Sequence, residues 1–476
     1  MTDTKERANE IIRKAKISAG IYSELTQEDT DKIVRAIHDA AIEARVHLAK
    51  LAHSETGIGI WEHKAAKNLL AAKLVYEDIK NEKTVGVLSH DEKTGVTEVA
   101  QSLGPVVAVI PTTNPTSTVI FKSLITAKTQ NPIIISPHPS AGKSTAEAAR
   151  ICYEAALKAG APDDCIQWVS QTSQELTHAL MSHPDTALVL ATGGPSLVKA
   201  AYSSGTPAIG VGSGNVPVYV ENTADIKFAV ESIISSKTFD NGTVCASEQA
   251  IVVEKSIAAA LRAEFEKQGA YFSEGSETGR LEKICVNSET GLMNAKIVGR
   301  SASVIAQLAE ISVPENTRLI IATQTGVGKE YPLSGEILAP VLAWYVADNF
   351  DAALKLCIEL NYRGGIGHTA SIYSNDNHKI VEFGRLMNAG RVVVNTPSSQ
   401  GGVGGIYNAL SPSLTLGCGA GGKNITTENI TARHLYNIKK ICRRRENGRW
   451  LGIPPGKIVD ENIKTDDINA LYFRNQ

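Results

Sequence analysis

The sequence has almost no excess of charge of either sign, no CxxC pair among its cysteines, and no apolar run long enough to span a bilayer. Each absence removes a class of function. With 48 Lys and Arg against 50 Asp and Glu, the formal net charge is -2, and a general nucleic-acid binder needs a basic excess to displace counterions. Seven cysteines, at 152, 165, 245, 285, 357, 418 and 442, are scattered without a pairing pattern, which argues against a disulfide framework and suits a reducing compartment. Residues Met1 to Arg7 are charged and lead into helical spacing without an apolar core, so no secretory signal is expected and a cytoplasmic location is. Asn-x-Thr sequons at Asn241, Asn424 and Asn429 therefore carry no weight. No internal repeat or extended low-complexity segment interrupts the chain.

What is present is enough chain for large cores. At 476 residues and 43% hydrophobic content, two or more domains are expected. From Glu6 to about Lys80 the apolar residues recur at helical spacing, as in Ile33, Val34, Ile37, Ala40 and Ala41, which predicts a group of helices. From Leu103 short apolar runs take over, at Val106 to Ile110, Ile133 to Ile135, Ala187 to Leu190 and Val218 to Val220, with helical stretches between. That alternation predicts a parallel sheet flanked by helices. One such helix is expected to be capped by Ser144 and stopped at Gly160-Ala-Pro162. After about Lys237 a second series begins, with strands expected at Ala250 to Val253, Arg318 to Ala322 and Val392 to Val394. The tail from Leu416 is rich in Gly and Asn and then basic, a solvated surface or a subunit contact.

Cys245 lies in the junction between the two series, in Thr238-Phe-Asp-Asn-Gly-Thr-Val-Cys245-Ala-Ser-Glu248-Gln. Among small and polar residues a thiol can be held as an accessible thiolate, the form that attacks carbonyls. Taken alone, the stretch also reads as an inert buried cysteine. Pro139-Ser-Ala-Gly142-Lys143-Ser144 has the setting of a phosphate loop, but Pro137 holds the place of its first glycine and has no amide hydrogen to donate. Thr192-Gly193-Gly194 follows a strand, where glycines let a phosphate or nicotinamide ring approach the backbone. Neither Gly210-Val-Gly212-Ser-Gly214 nor Gly402-Val-Gly404-Gly405 fits a GxGxxG fingerprint. Asn114, in Pro111-Thr112-Thr-Asn114-Pro115, stands where a strand ends, and its amide could donate to an oxyanion or simply hold its own turn.

Taken in chain order, Asn114, Thr192-Gly-Gly, Cys245 and Glu336 in Glu-Ile-Leu-Ala-Pro340 resemble the aldehyde dehydrogenase superfamily. Asn114-Pro-Thr-Ser, Gly212-Ser-Gly-Asn215-Val-Pro217, Cys245-Ala-Ser-Glu-Gln249, Gly367-His368-Thr369 and Pro412 to Gly419 resemble its coenzyme A-acylating branch, above all the aldehyde dehydrogenase half of bifunctional aldehyde-alcohol dehydrogenases. The likeness runs from about Ala8 to Lys440, without the iron-dependent alcohol dehydrogenase half. It implies an α/β aldehyde dehydrogenase fold: a Rossmann-like cofactor domain over residues 1–236, a catalytic domain over 237–416, and a segment over 417–476 that returns to the cofactor domain and makes oligomer contacts. A homodimer or larger homo-oligomer is implied, with no nucleic-acid or membrane partner and no metal. A microcompartment-targeting helix is not favoured over a first structural helix at Glu6 to Ala19.

The resemblance implies the chemistry too. Cys245 would attack the aldehyde, Asn114 and the Cys245 amide would hold the oxyanion, and the hydride would pass to a nicotinamide bound by Thr112, Thr192, Gly193, Gly194, Gly212 and Glu336. Hydrolytic members use a glutamate in Glu-Leu-Gly-Gly to activate water; Gly212-Ser-Gly-Asn215 carries no carboxylate, so the thioester is expected to leave on coenzyme A. His368 is expected to help that step through an imidazole near neutral pH, or else to be a satisfied core histidine. Ser136 and His138 stand where hydrolytic members carry an adenosine-ribose lysine, leaving NADP open beside NAD. Ala420 and Gly421 replace an aromatic and are expected to loosen their loop, while Lys423 charges it. Acetaldehyde is the leading substrate; an anionic aldehyde such as sulfoacetaldehyde or succinate semialdehyde, through Lys423, and hydrolytic oxidation without coenzyme A are the alternatives.

Overall fold

The computed structural model describes residues 2–287 and 289–474. The expected N-terminal helices are Thr2–Tyr22, Gln27–Thr56, Trp61–Leu69 and Val75–Ile79, the last two joined by a π-helical turn, Leu70–Leu74. Thr26 and Asp29 form a capping box at the start of the long helix, and Gly57 closes it in the left-handed conformation. Its buried stripe, including Ile33, Val34, Ile37 and Ala41, packs into the same core as Ala148, Ala149 and Cys152 of the helix Gly142–Lys158.

Five parallel strands form the first sheet, in the order Ile166–Trp168, Ile133–Pro137, Val106–Ile110, Leu188–Thr192, Ala208–Val211. The chain starts this sheet in the middle, adds two strands to one side, then two to the other. That doubly wound order opens a crevice at the carboxyl ends of Val106–Ile110 and Leu188–Thr192, where a ligand fits between diverging connections. Helices on both faces bury Val106–Ile110 and Ile133–Pro137 along their whole length, which is why they read as continuous apolar runs.

The second sheet has seven strands, Ala270–Ser273, Leu319–Thr323, Val341–Ala347, Glu248–Glu254, Val216–Val220, Gly367–Tyr373 and Ala389–Val394, paired in parallel throughout. The strand at Val218 to Val220, expected in the first series, belongs here instead. The chain changes sheets between Val211 and Val216, across Gly212-Ser-Gly214. Another expectation changes at the helix Gly142–Lys158, where Ser144 makes no cap. Glu55 of the long helix caps it, accepting from the Lys143 and Ser144 amides at 2.7 Å each. A carboxylate from the same chain thus fills the place a phosphate would take.

A smaller unit comprises residues 83–101 and 437–474. Its three-stranded sheet pairs Val87–Asp91 with Val96–Ser102 antiparallel and adds Tyr436–Cys442 beside the latter. These strands are exposed or half-buried throughout. Among the described residues no helix is long and apolar enough to cross a membrane, and no cluster of three or more His, Cys, Asp or Glu could hold a metal.

Candidate active site

At the crevice of the doubly wound sheet, the segments after Ile110 and Leu190 line one cavity of about 840 Å³. Thr112, Asn114, Thr192, Gly193, Gly194, Gly212, Cys245 and Glu336 all reach it; His368 and Lys423 are not among its lining residues. The cavity is walled by apolar side chains, including Leu70, Leu74, Met293, Leu338 and Leu414.

Cys245 sits in a tight turn, closed by Ser247 N–H donating to the Val244 carbonyl, immediately before the strand Glu248–Glu254. The thiol is half-buried. Burial, reinforced by the Glu336 carboxylate, pushes it up to about 12, against the opposing pull of the Arg391 guanidinium and the Cys245 amide. The small, polar neighbours in sequence therefore do not make a resting thiolate, because tertiary burial outweighs them. Gly214 lies directly against the turn: a Cβ there would stand 2.1 Å from the Cys245 carbonyl oxygen. No side chain fits.

Asn114 precedes the helix Pro115–Lys128 but does not cap it. Its Oδ1 instead accepts from Lys67 Nζ at 2.6 Å, and its Nδ2 donates to Thr113 Oγ1 at 3.0 Å. The turn-holding alternative is thus not the one realised, and one Nδ2–H remains for the cavity. Lys67 also donates to Asp240 Oδ2 at 2.6 Å and Thr243 Oγ1 at 2.8 Å. Lys64 donates to Asp240 Oδ2 and to the Thr113 carbonyl, each at 3.0 Å. Burial acts to raise the Asp240 carboxyl, but Lys67 and Lys64 hold it below its usual range. Burial brings Lys67 down to about 8 despite Asp240. Asp240 and Asn241 sit at φ 49 and 53, a left-handed pair that non-glycine residues adopt at a cost.

The opposite side of the cavity suits a dinucleotide. Thr192 Oγ1 is buried with no partner of its own, and a Cβ on Gly194 would meet nothing within 4 Å, so backbone and hydroxyl lie open to a phosphate or ring. Glu336 accepts from the Gly214 N–H at 2.9 Å and is pushed up by burial. Its loop is held by Gln249, whose Oε1 accepts from Lys237 Nζ at 2.8 Å and from the Ile337 N–H at 2.9 Å. Ser136, by contrast, is engaged with Thr177 Oγ1 at 2.8 Å, and burial lowers the His138 imidazole, so neither offers a fixed cation.

His368 is fully buried, with Nδ1 2.9 Å from Thr369 Oγ1. Burial, with Arg391 beside it, drives the imidazole down to about 3, so a titration near neutral pH is not available to it. Arg391 donates to the carbonyls of His368, Gly417 and Thr427 and anchors the same layer. The loop around Lys423 is tight rather than loose: a Cβ on Gly421 would lie 2.8 Å from Ile366 Cγ2, and one on Gly422 would lie 2.3 Å from Cys418 Cβ. Asn215 points away from the cavity, donating to the Ser334 and Leu360 carbonyls at 2.8 and 2.6 Å. Sequence reasoning passed over Lys64, Lys67, Asp240 and Arg391. The lysines sit at helical spacing that reads as a solvated face, and only their burial at 3% and 5% exposure reveals them.

A doubly wound sheet whose switch point opens onto a cavity lined by a cysteine and a fixed side-chain amide has the layout of an α/β protein that takes its ligand at the carboxyl ends of the strands. The chain belongs to the aldehyde dehydrogenase family, whose model matches residues 1–282. It is similar to the bifunctional aldehyde-alcohol dehydrogenase AdhE of Escherichia coli (strain K12), 48% identical over 450 residues that make up 94% of this chain and 50% of that protein. The chain thus spans about half the length of the curated relatives it matches first. The crystal structure of an acetylating aldehyde dehydrogenase from Geobacillus thermoglucosidasius is 48% identical, with a TM-score of 0.91, over 94% of this chain and 98% of that one. That of a Rhodopseudomonas palustris propionaldehyde dehydrogenase, with bound CoA and an acylated cysteine, is 28% identical, with a TM-score of 0.83, over 92% of this chain and 97% of that one.

Proposed function

We propose that this chain is a coenzyme A-acylating aldehyde dehydrogenase, converting an aldehyde, coenzyme A and NAD+ into acyl-CoA and NADH, with acetaldehyde as the leading substrate. One observation carries the choice of coenzyme A over water. Among the described residues, Glu336 is the only carboxylate lining the cavity, and it is engaged by the Gly214 N–H and the Ser213 hydroxyl. Hydrolysis of a thioester needs a base to activate water, whereas coenzyme A attacks as its thiolate, a small fraction of which forms at neutral pH by loss of the proton to solvent and which needs no carboxylate beside it. The relatives with acetylating activity and with bound CoA support the same reading.

In this reading Cys245 Sγ attacks the carbonyl carbon and gives up its proton to solvent as the bond forms, with Arg391 and the Cys245 amide favouring the anionic sulfur. Asn114 Nδ2–H and the Cys245 N–H stabilise the oxyanion. Thr112, Thr192, Gly193, Gly194, Gly212 and Glu336 orient the dinucleotide, which when bound supplies the hydride acceptor. Collapse leaves a thioester on Cys245, which the thiol of coenzyme A takes by exchange. His368, held neutral, serves as a hydrogen-bonding group behind the nucleophile turn and not as a proton carrier. With no fixed cation at Ser136 and His138 for a 2′-phosphate, NAD is preferred over NADP.

Residues 1–236, 237–416 and 417–476 are assigned to cofactor, catalytic and oligomer-forming segments, the first lending the strand Val216–Val220 to the seven-stranded sheet. Ile438 and Ile441, 50% and 55% exposed on Tyr436–Cys442, support a homo-oligomer contact there. The proposed location is cytoplasmic.

The deciding assay is NADH formation from acetaldehyde with and without coenzyme A. Full activity without it would sink the proposal and restore hydrolytic oxidation. A second reading, an anionic aldehyde, is favoured by Lys73 and Arg363, which line the cavity although Lys423 does not. Its test is kcat/KM across neutral and anionic aldehydes, and a preference for acetaldehyde discards it.

A further inference from the structure

Lys67 lies at the cavity wall, yet its ammonium has nothing left to offer a substrate. Its three N–H groups meet three acceptors: Asn114 Oδ1 at 2.6 Å, Asp240 Oδ2 at 2.6 Å and Thr243 Oγ1 at 2.8 Å. The Thr243 hydroxyl in turn donates a hydrogen bond to Asp240 Oδ2 at 2.7 Å. Asp240 is fixed in turn, with Oδ1 accepting from the Ile60 N–H at 2.7 Å and its own N–H donating to His63 Nδ1 at 2.8 Å. A Cβ on Gly59 would stand 2.0 Å from Asp240 Oδ1, so the carboxylate is pressed against backbone and has no room to turn.

The consequence falls on Asn114. A primary amide can present either its oxygen or its NH2 to a neighbour at almost equal steric cost. An ammonium accepts no hydrogen bond, so the atom facing Lys67 must be the oxygen. The NH2 then faces the other way, with one N–H on Thr113 Oγ1 at 3.0 Å and the second left over. Were the amide reversed, its oxygen would oppose the charge that develops on an attacked carbonyl. We infer that Lys67 is a positioning residue for oxyanion stabilisation: by binding Asn114 Oδ1 it ensures that an Nδ2–H faces the carbonyl attacked by Cys245. This inference rests on the role proposed above for Asn114 but not on coenzyme A or NAD.

The test is pre-steady-state acylation by 4-nitrophenyl acetate, which needs neither cofactor. Cys245 Sγ forms a bond to the acetyl carbon, the bond to 4-nitrophenolate breaks, and the thiol proton goes to solvent. Asn114→Ala is expected to slow the burst by about 10²-fold or more, and Lys67→Met to slow it by a comparable factor. The double variant is expected to be no slower than Asn114→Ala alone, because Lys67 acts through the amide that is already gone. Lys67→Gln, which keeps an N–H for Oδ1 without the charge, should recover about tenfold over Lys67→Met, and supplies the same cycle if the methionine variant does not fold. Alkylation by iodoacetamide passes through no oxyanion and should stay within about twofold throughout.

Multiplicative losses in the double variant would overturn the inference, as would rescue by Lys67→Arg alone without Lys67→Gln, since charge and not orientation would then be the cause. Equal losses in alkylation and acylation would overturn it too. A wild-type burst without coenzyme A-dependent NADH formation would instead overturn the proposed function and leave the role of Lys67 standing.

Discussion

Substituting Gly214 by alanine tests whether the turn carrying Cys245, the proposed nucleophile, is held where the proposed chemistry needs it. The backbone at Gly214 carries no positive φ, so the objection to a side chain is space alone. A Cβ would lie 2.1 Å from the Cys245 carbonyl oxygen, 3.1 Å from its carbonyl carbon and 3.1 Å from His368 Nδ1. Ordinary carbon–oxygen contact is about 3.3 Å, so the turn and the connection carrying Gly214 must part by roughly 1 Å. A misplacement of that size costs about 10²-fold in turnover, or about 2.7 kcal/mol of barrier. Overpacking adds about 1–3 kcal/mol of lost stability. Glu336 would follow, because it accepts from the Gly214 N–H. The measurements are kcat/KM for coenzyme A-dependent NADH formation and the unfolding midpoint, with Gly212→Ala alongside. A Cβ on Gly212 meets only Val198 Cγ2, at 3.9 Å, so that variant should fold normally and change only the KM for the dinucleotide. Wild-type kcat and midpoint in Gly214→Ala would refute the reasoning.

Three further outcomes are expected. With the thiol pushed up to about 12, iodoacetamide labelling of Cys245 should quicken about tenfold per pH unit from about pH 7 to pH 10, because the thiolate fraction keeps growing below the pKa; a plateau below about pH 9, followed by site-resolved mass spectrometry, would contradict the burial argument. Asp240→Asn leaves two buried ammonium groups, Lys64 and Lys67, without their counter-ion, and should cost about 3–5 kcal/mol in urea unfolding; a loss below about 1 kcal/mol would show the network to be dispensable. Glu55→Ala removes the carboxylate that caps Gly142–Lys158 and should cost about 1 kcal/mol without altering kcat, which thermal unfolding and steady-state rates together decide.

The residues that the sequence makes legible are those whose chemistry is local. Cys245, Asn114, Thr192-Gly193-Gly194 and Glu336 each stand in a short segment at the end of a strand or helix, and the cavity brings them together. Strands buried on both faces, such as Val106–Ile110, announce themselves as apolar runs. The hairpin Val87–Asp91 with Val96–Ser102 does not, because its exposed and half-buried residues show no alternation. What escapes is whatever depends on distant partners. Asp240 is 173 residues from Lys67, and the helix expected to be capped by Ser144 is capped from Glu55, 88 residues before Lys143. His368 escaped in a different way: its type and motif were plain, but its protonation is set by burial and by Arg391, which only packing supplies.

The protonated state of Cys245 also bears on how long the protein survives. Peroxide and disulfide exchange act on thiolates, and a half-buried sulfur held as S–H reacts slowly with both. The only exposed cysteine among the described residues is Cys442, in the smaller unit. In a single copy of the chain oxidation is therefore expected at Cys442 before Cys245, and the proposed pairing of copies through Tyr436–Cys442 would cover that first target as well.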